Sequence, residues 1–556
     1  MVSRILGVLR DRILAGKFGA GDELDIYFAA FRIPDLIYSL LVVGALTAGF
    51  IPVFTSYWNG RKKELCDCHF EASDSEPKNL ISPGSGDPSP AAQDDKTVRR
   101  DNKGGDDEAW YLANSILNIM ALGLIIACGI GVVFAKQIIP LIAPGFNPEK
   151  ISMTASLTRI IFLSPIFLGI SGVFSGILQS FKNFLTFALA PILYNLGIIF
   201  GALFLTNYFG LYGLALGVIL GAFLHMLIQI PPAIYSGFRY KPVFNLAHEG
   251  VKRIGKLMLP RTLSLGVSQL NFIAMTFIAS TLAAGSIAVF NFAYNIYALP
   301  FGIIAVSYAV ASFPSLTESA VKKDWQGYAH NFSSTFRQIL FFIIPASVFL
   351  IVLRAQLVRV ILGAGKFDWS DTILTIESLQ YLALGLFADS LILLMIRGFF
   401  ALEDTVTPAV ISLVGTFVRL AGALVFVKYF SVSGLALGYA IGSIITMILL
   451  WIFLEEKVGD LKQNEIIGAG FKILLSSAVA GLATYGMLYL VAPLVNMQTF
   501  VGIFIQGLSA GLVGIAVYAV VGLLIKSQEM FSFWQAVTQR LPWAKVAPRE
   551  EIIAEP

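Results

Sequence analysis

QILFFIIPASVFLIVL, residues 338–353, and LALGYAIGSIITMILLWIFL, residues 435–454, contain no charged side chain. A helix needs about 20 predominantly apolar residues to cross a hydrocarbon core ~30 Å thick. Similar runs recur along all 556 residues, which are 56% hydrophobic and 13% charged, with a mean hydropathy of +0.77. Soluble chains are roughly half apolar and a quarter charged. The chain therefore reads as an all-α integral membrane protein. Its apolar runs, divided at breakers, predict about fourteen spans, near 2–18, 26–57, 110–135, 153–179, 185–206, 211–235, 257–283, 287–315, 335–361, 376–401, 406–427, 433–454, 468–492 and 499–525. The first is short, so it is read as a half-span or as one that continues upstream of Met1.

The charges between these runs orient them. Arg61, Lys62 and Lys63 follow span two, Lys182 span four, and Arg239, Lys241, Lys252 and Arg253 span six. Lys322 and Lys323 follow span eight, Lys457 and Lys462 span twelve, and Lys526, Arg540, Lys545 and Arg549 close the chain. Connections on the other side, such as AAGS (283–286) and APLVNMQTF (492–500), carry no charge. Basic loops stay cytoplasmic, so both termini are expected inside; the loop with Arg359 and Lys366, after span nine, fits least well. The net charge of +4 resides in these connections, so no nucleic-acid partner is expected. Residues 59–108 are polar and rich in Ser, Pro, Gly and Asp, and are expected to be a disordered cytoplasmic loop. Its Cys66-Asp67-Cys68-His69 lacks the second cluster that a metal site needs, and the three cysteines make no disulfide framework. No metal or other cofactor is expected. No cleavable signal peptide is read at the start. Nothing matches a phosphate-binding Gly-Lys-Ser/Thr loop, and no paired catalytic carboxylates share a loop, so the chain is not expected to be an enzyme.

An internal repeat divides the spans. NYFGLYGLALGVILG (207–221) and KYFSVSGLALGYAIG (428–442) share Tyr-Phe and Gly-Leu-Ala-Leu-Gly at a constant offset. Upstream, QSFKNFLTFALAP (179–191) and GFFALEDTVTP (398–408) each place a polar turn before a proline-led span. Two pseudo-repeat six-helix lobes are expected, 1–240 and 241–456, then two extra helices in 457–526 and a cytoplasmic tail, 527–556. Repeats of this kind build transporters that carry substrate between their halves. The glycines at 213, 217 and 221, and at 434, 438 and 442, lie on one helix face and are expected to pack helices closely.

Charges inside the first two spans are the informative residues. Span one carries Arg4, Arg10, Asp11 and Arg12; span two carries Asp25, Arg32 and Asp35 around Pro34. A charge at mid-membrane costs about 2.5–3.5 kcal/mol on insertion scales, against a gain of only ~0.5 from a leucine. Span one therefore cannot face lipid all round. Arg4 and Asp11 are seven residues apart, as are Asp25 and Arg32, so each pair shares a helix side. Asp389 and Arg397 lie eight apart in span ten, Arg159 and Arg419 read as isolated structural charges, and His225 reads as a satisfied core histidine. Several arginines round one cavity point to an anionic ligand, since the guanidinium fork matches phosphate oxygens. The number of spans points to a large, partly apolar one. Residue chemistry thus reaches an amphiphilic phospho-lipid.

The segment SRILGVLRDRILAGKFGAGDELDIYFAAFRIPDL (3–36), with GALTAGFIPVF (44–54), APGF (143–146), GAGKFD (363–368) and FFALEDTVTP (399–408), resembles the MurJ (MviN) family of lipid II flippases. That family lies within the superfamily of multidrug, oligosaccharidyl-lipid and polysaccharide exporters. The resemblance implies fourteen spans, the last two forming a groove for the lipid tail. It also implies a bacterial inner-membrane protein of peptidoglycan synthesis that binds lipid II, the undecaprenyl-pyrophosphate-linked disaccharide peptide. A coupling ion or the membrane potential would drive it. Arg4, Arg10, Asp11, Asp25 and Arg32 fall on family cavity positions. The chain departs from the family in having Tyr38, Ser39 and Val43 in span two, and Tyr294 and Asn295 where span eight usually offers Asp-Arg. Arg261 stands where an apolar residue is common, and together with Asn295 completes the expected substrate-binding set. The rival readings are an exporter of another polyprenyl-linked oligosaccharide and a non-transporting envelope scaffold. The insertion cost of the charged spans argues against the scaffold.

Overall fold

In a computed structural model of the protein, residues 2–44, 49–58 and 94–538 are described, apart from the side chains of 94–107, 184, 259–261, 263–265 and 536–537. Every regular element among them is a helix. Among the described residues twelve helices are long and apolar enough to cross a membrane. The two other expected spans are helical as well but differ in composition. Val2–Phe18 has 17 residues and is broken up by Arg4, Arg10, Asp11, Arg12 and Lys17. In Glu249–Ser280 the described apolar stretch is Gly266–Ser280. Twelve of the fourteen expected spans thus meet that criterion among the described residues. Residues 59–93, with Cys66, Cys68 and His69, lie outside the described residues, and 94–107 continue as the start of the helix Asp94–Ile142. A helix already nucleated by an apolar span extends at little further cost.

The chain forms two compact units. The first holds residues 1–13 and 25–281, and the second residues 14–24 and 282–556. In the first, the APGF turn ends against Glu249–Ser280, where the Gly145 N–H donates to Ser280 Oγ (3.2 Å). In the second, the GAGKFD turn receives the end of the first helix. Lys366 N–H donates to the Gly16 carbonyl (2.8 Å), and Ala20 N–H to Asp371 Oδ2 (2.8 Å). Gly365 has φ +58 and lies against the Gly16 carbonyl, so a side chain there would meet both backbone strain and a clash. Asp371 also completes a capping box with Asp368 at the start of Trp369–Ala401. Two motifs far apart in sequence are thereby explained as one contact.

Within each unit the repeat recurs in backbone detail. Lys182 and Glu403, 221 positions apart (403 − 182), both have φ +59, an uncommon value for residues with a Cβ. The residues that follow close the same turn, with Asn183 N–H donating to Leu178 O (2.8 Å) and Asp404 N–H to Phe399 O (3.0 Å). Gly210 (φ 55, ψ −138) and Ser431 (φ 51, ψ −134), at the same offset (431 − 210), end the next helix alike. A Cβ on Gly217 would stand 2.6 Å from Gly201 Cα, and one on Gly438 would stand 2.7 Å from Ala423 Cα. The shared glycines therefore let antiparallel neighbours touch backbone to backbone. After the second repeat, Gln463–Val491 and Phe500–Leu524 pack on each other, with Leu488 and Ala510 meeting Leu353. A short helix, Gln528–Thr538, follows.

Candidate functional site

Apolar helices carry charge only where other helices supply polar groups, and the first unit shows which. Asp11 is 4% exposed, and Arg10 grips it through Nε (3.0 Å) and Nη2 (2.8 Å), both on Oδ1. Arg10 Nη1 donates to Asn195 Oδ1 (3.3 Å) on the helix Leu185–Phe209. Asn195 in turn donates to the Pro191 carbonyl (2.9 Å) and faces Ser3 Oγ (3.4 Å). Along the second helix, Arg32 Nε donates to Thr276 Oγ1 (2.7 Å), and its guanidinium lies 5.7 Å from the Phe272 ring centre. Two turns further, Gln269 Nε2 donates to Ser39 Oγ (2.7 Å), and the Thr262 hydroxyl to Leu40 O (3.1 Å). Ser39 opens a π-turn, Ser39–Val43, five residues after Pro34. Proline removes a rung of the ladder and π-turns redirect side chains. Here they aim the polar edge of the second helix at Glu249–Ser280.

The sequence-predicted residues are distributed as follows. Arg10 and Asp11 form one cluster, Arg32 belongs to the line of contacts with Glu249–Ser280, and Asp25 is 3% exposed. Arg4 is exposed on the first helix, and Asp11 pairs with its neighbour Arg10. Arg261 lies in Glu249–Ser280, its side chain outside the described residues. Asn295 is half-buried in the second unit, in Ser286–Pro300. Asn195, Thr276 and Gln269 escaped sequence reading, because single neutral polar residues in apolar runs carry no spacing signal, and Ser39 stood out only as a departure from the family. Among the described residues no group of three or more His, Cys, Asp or Glu could hold a metal ion.

The second unit contains a separate buried charge cluster. Arg419 Nη2 lies 3.0 Å from Asp389 Oδ1 and donates to Ser443 Oγ (3.0 Å), while its guanidinium sits 4.6 Å from the Tyr439 ring centre. The Tyr297 hydroxyl donates to Asp389 Oδ2. Asp389 thus pairs with Arg419; Arg397 lies instead over Phe313, 5.7 Å from the ring centre. Arg159 donates to the Val132 carbonyl (3.2 Å), and His225 Nδ1 meets Ser171 Oγ (2.7 Å) in a net completed by Gln229 and Ser175.

Comparison with known proteins puts this geometry in a family. A family model described as "Lipid II flippase MurJ" matches residues 14–67 and 98–510. A lipid II flippase of Burkholderia cenocepacia is 26% identical over 465 residues, 82% of either chain. A probable lipid II flippase of Buchnera aphidicola from Acyrthosiphon pisum is 28% identical over 511 residues, 91% of either chain. Among solved structures, a lipid II flippase in an inward closed conformation superposes with a TM-score of 0.70 at 23% identity, covering 94% of this chain and 96% of that one. An inward-facing multidrug transporter of the MATE family superposes at 0.63 with 17% identity, over 83% and 96%. At these identities the superpositions establish the fold.

Proposed function

This chain belongs to the MurJ family of lipid II flippases, and we propose that it carries lipid II from the cytoplasmic to the outer leaflet of a bacterial inner membrane by alternating access. In this reading Arg10 and Arg32 grip the pyrophosphate, with Arg4, Asp11, Asp25, Arg261 and Asn295 completing the binding set. The last two spans receive the polyprenyl tail, and a coupling ion or the membrane potential supplies the driving force. One observation carries the proposal. Two arginines in membrane helices are brought against polar side chains of helices remote in sequence, Arg10 against Asn195 beside its ion pair with Asp11, and Arg32 against Thr276. These contacts hold each guanidinium in place, and its fork fits phosphate oxygens two at a time.

Complementation of a strain depleted of its own lipid II flippase, with membrane abundance measured alongside, tests this. Wild type is expected to restore growth. Arg32→Ala is the cleaner variant, because Arg10 is also a partner of the buried Asp11. It is expected to be abundant and inactive, having lost charge-assisted bonds worth roughly 1.5–3 kcal/mol each. Arg32→Lys is expected to recover part of the activity, keeping the charge without the fork. Arg10→Ala also strips the buried Asp11 of a partner, so Arg10→Lys is the informative change there. An abundant Arg32→Ala with full activity, or abundant wild type that fails to rescue, overturns the proposal.

A further inference from the structure

At the end of the second unit where the helices Trp325–Val352 and Val406–Phe430 finish and Trp369–Ala401 begins, a cavity of about 520 Å³ opens to the surface. Arg354 and Glu377 line it together with Gln380, Tyr381, Ile373 and Phe430. Its depth is that of a membrane interface. Arg354 lies two residues past the end of one span, Phe430 ends another, and Ile373 to Tyr381 occupy the first turns of the third. Trp369 and Tyr429, 65% and 76% exposed, mark the same level, where aromatic residues gather at bilayer surfaces.

The two charges are of opposite sign and line one cavity, yet among the described residues neither enters an ion pair. Arg354 gives one N–H to the Ile351 carbonyl (2.6 Å), and Glu377 accepts a long bond from the Ser433 hydroxyl (3.3 Å). A cavity that holds a cation and an anion apart is complementary to a ligand that carries both. Tyr381 and Phe430, ring centres 5.9 Å apart, form an apolar wall, and Ile373 and Phe430 remain partly exposed at the lip. A free zwitterion in water has no use for that lip, whereas a lipid's first methylenes do.

We propose that this pocket binds the headgroup of a zwitterionic phospholipid bearing a primary amine, its phosphate on Arg354 and its ammonium on Glu377 and Gln380. The carboxylate and the amide oxygen are hydrogen-bond acceptors, which an –NH3+ group can use and a trimethylammonium cannot. Phosphatidylethanolamine has this chemistry. Phosphatidylcholine lacks the N–H donors and phosphatidylglycerol the cation.

The test is native mass spectrometry of the purified full-length chain with each of these three lipids added separately. Wild type is expected to retain phosphatidylethanolamine roughly tenfold better than the other two, the scale of one charge-assisted hydrogen bond. Glu377→Gln is expected to erase the preference over phosphatidylglycerol, and Glu377→Lys to invert it. Arg354→Ala is expected to weaken retention of all three. Neither side chain belongs to the buried core, so each variant is expected to stay monodisperse with the wild-type melting temperature. Equal retention of the three lipids by wild type overturns the proposal, and so does a preference that survives Glu377→Lys.

Discussion

Arg419 and Asp389 stand 30 residues apart and share one of the few ion pairs set inside the apolar helices. Their side chains are 16% and 10% exposed, so each depends on the other to offset its desolvation. Breaking such a pair from one side costs about 3–5 kcal/mol, whereas replacing both members with apolar groups is often neutral. Arg419→Ala is therefore expected to lower the melting temperature and membrane abundance sharply, and Arg419→Met with Asp389→Leu to restore most of both. A single Arg419→Ala as stable as wild type shows that the pair does not hold the fold. Asp404 illustrates the opposite regime, in a turn between helices. Burial pushes its carboxyl up, but hydrogen bonds from Lys457 and Thr407 outweigh this and hold it at about 2. A folded value below the ordinary ~3.9 means stability that is present above that value and lost as the pH falls from about 4 towards 2. Asp404→Asn is expected to flatten this acid loss in melting curves because it removes the same stability at neutral pH. An unchanged acid limb refutes the assignment.

At the scale of helices, the glycine faces decide how neighbours meet. Gly217 against Gly201 and Gly438 against Ala423 leave no room for a side chain, whereas nothing lies within 4 Å of a Cβ on Gly486. Overpacking costs about 1–3 kcal/mol where the backbone cannot retreat. Gly217→Leu and Gly438→Leu are each expected to lower thermal stability, and Gly486→Ala to leave it unchanged. Equal melting temperatures for all three contradict close packing as the role of the repeat. The pairing of these helices was legible beforehand, because a glycine every four residues can serve only one helix face. The π-turns at Ser39–Val43, Gly201–Leu205 and Phe301–Ala305 were not, since they depend on strain shared between helices.

For the molecule as a whole, the untested feature is its direction in the membrane. With both termini inside, Tyr208, 84% exposed at the end of Leu185–Phe209, faces outward, and Lys322, after Ser286–Val321, faces the cytoplasm. In a background with Cys66, Cys68 and Cys128 changed to serine, Tyr208→Cys is expected to react with an impermeant maleimide in intact cells. Lys322→Cys is expected to react only after permeabilisation. The reverse pattern inverts the topology.

The sequence alone determined the all-helical membrane class, the two repeats and the family, because each follows from local composition or from spacing along one chain. Apolar length sets a span whatever its neighbours, and a constant offset survives any packing. It also flagged Arg10, Asp11 and Arg32, since a charge in an apolar run is costly wherever that run lies. Tertiary structure decided their partners. Arg10 turned to Asn195, Arg32 to Thr276, and Asp389 to Arg419 rather than to Arg397 eight residues on. Spacing states only which residues share a helix side. Which helix lies opposite, and whether it brings a hydroxyl, a ring or a countercharge, is fixed by contacts between segments as much as 351 residues apart.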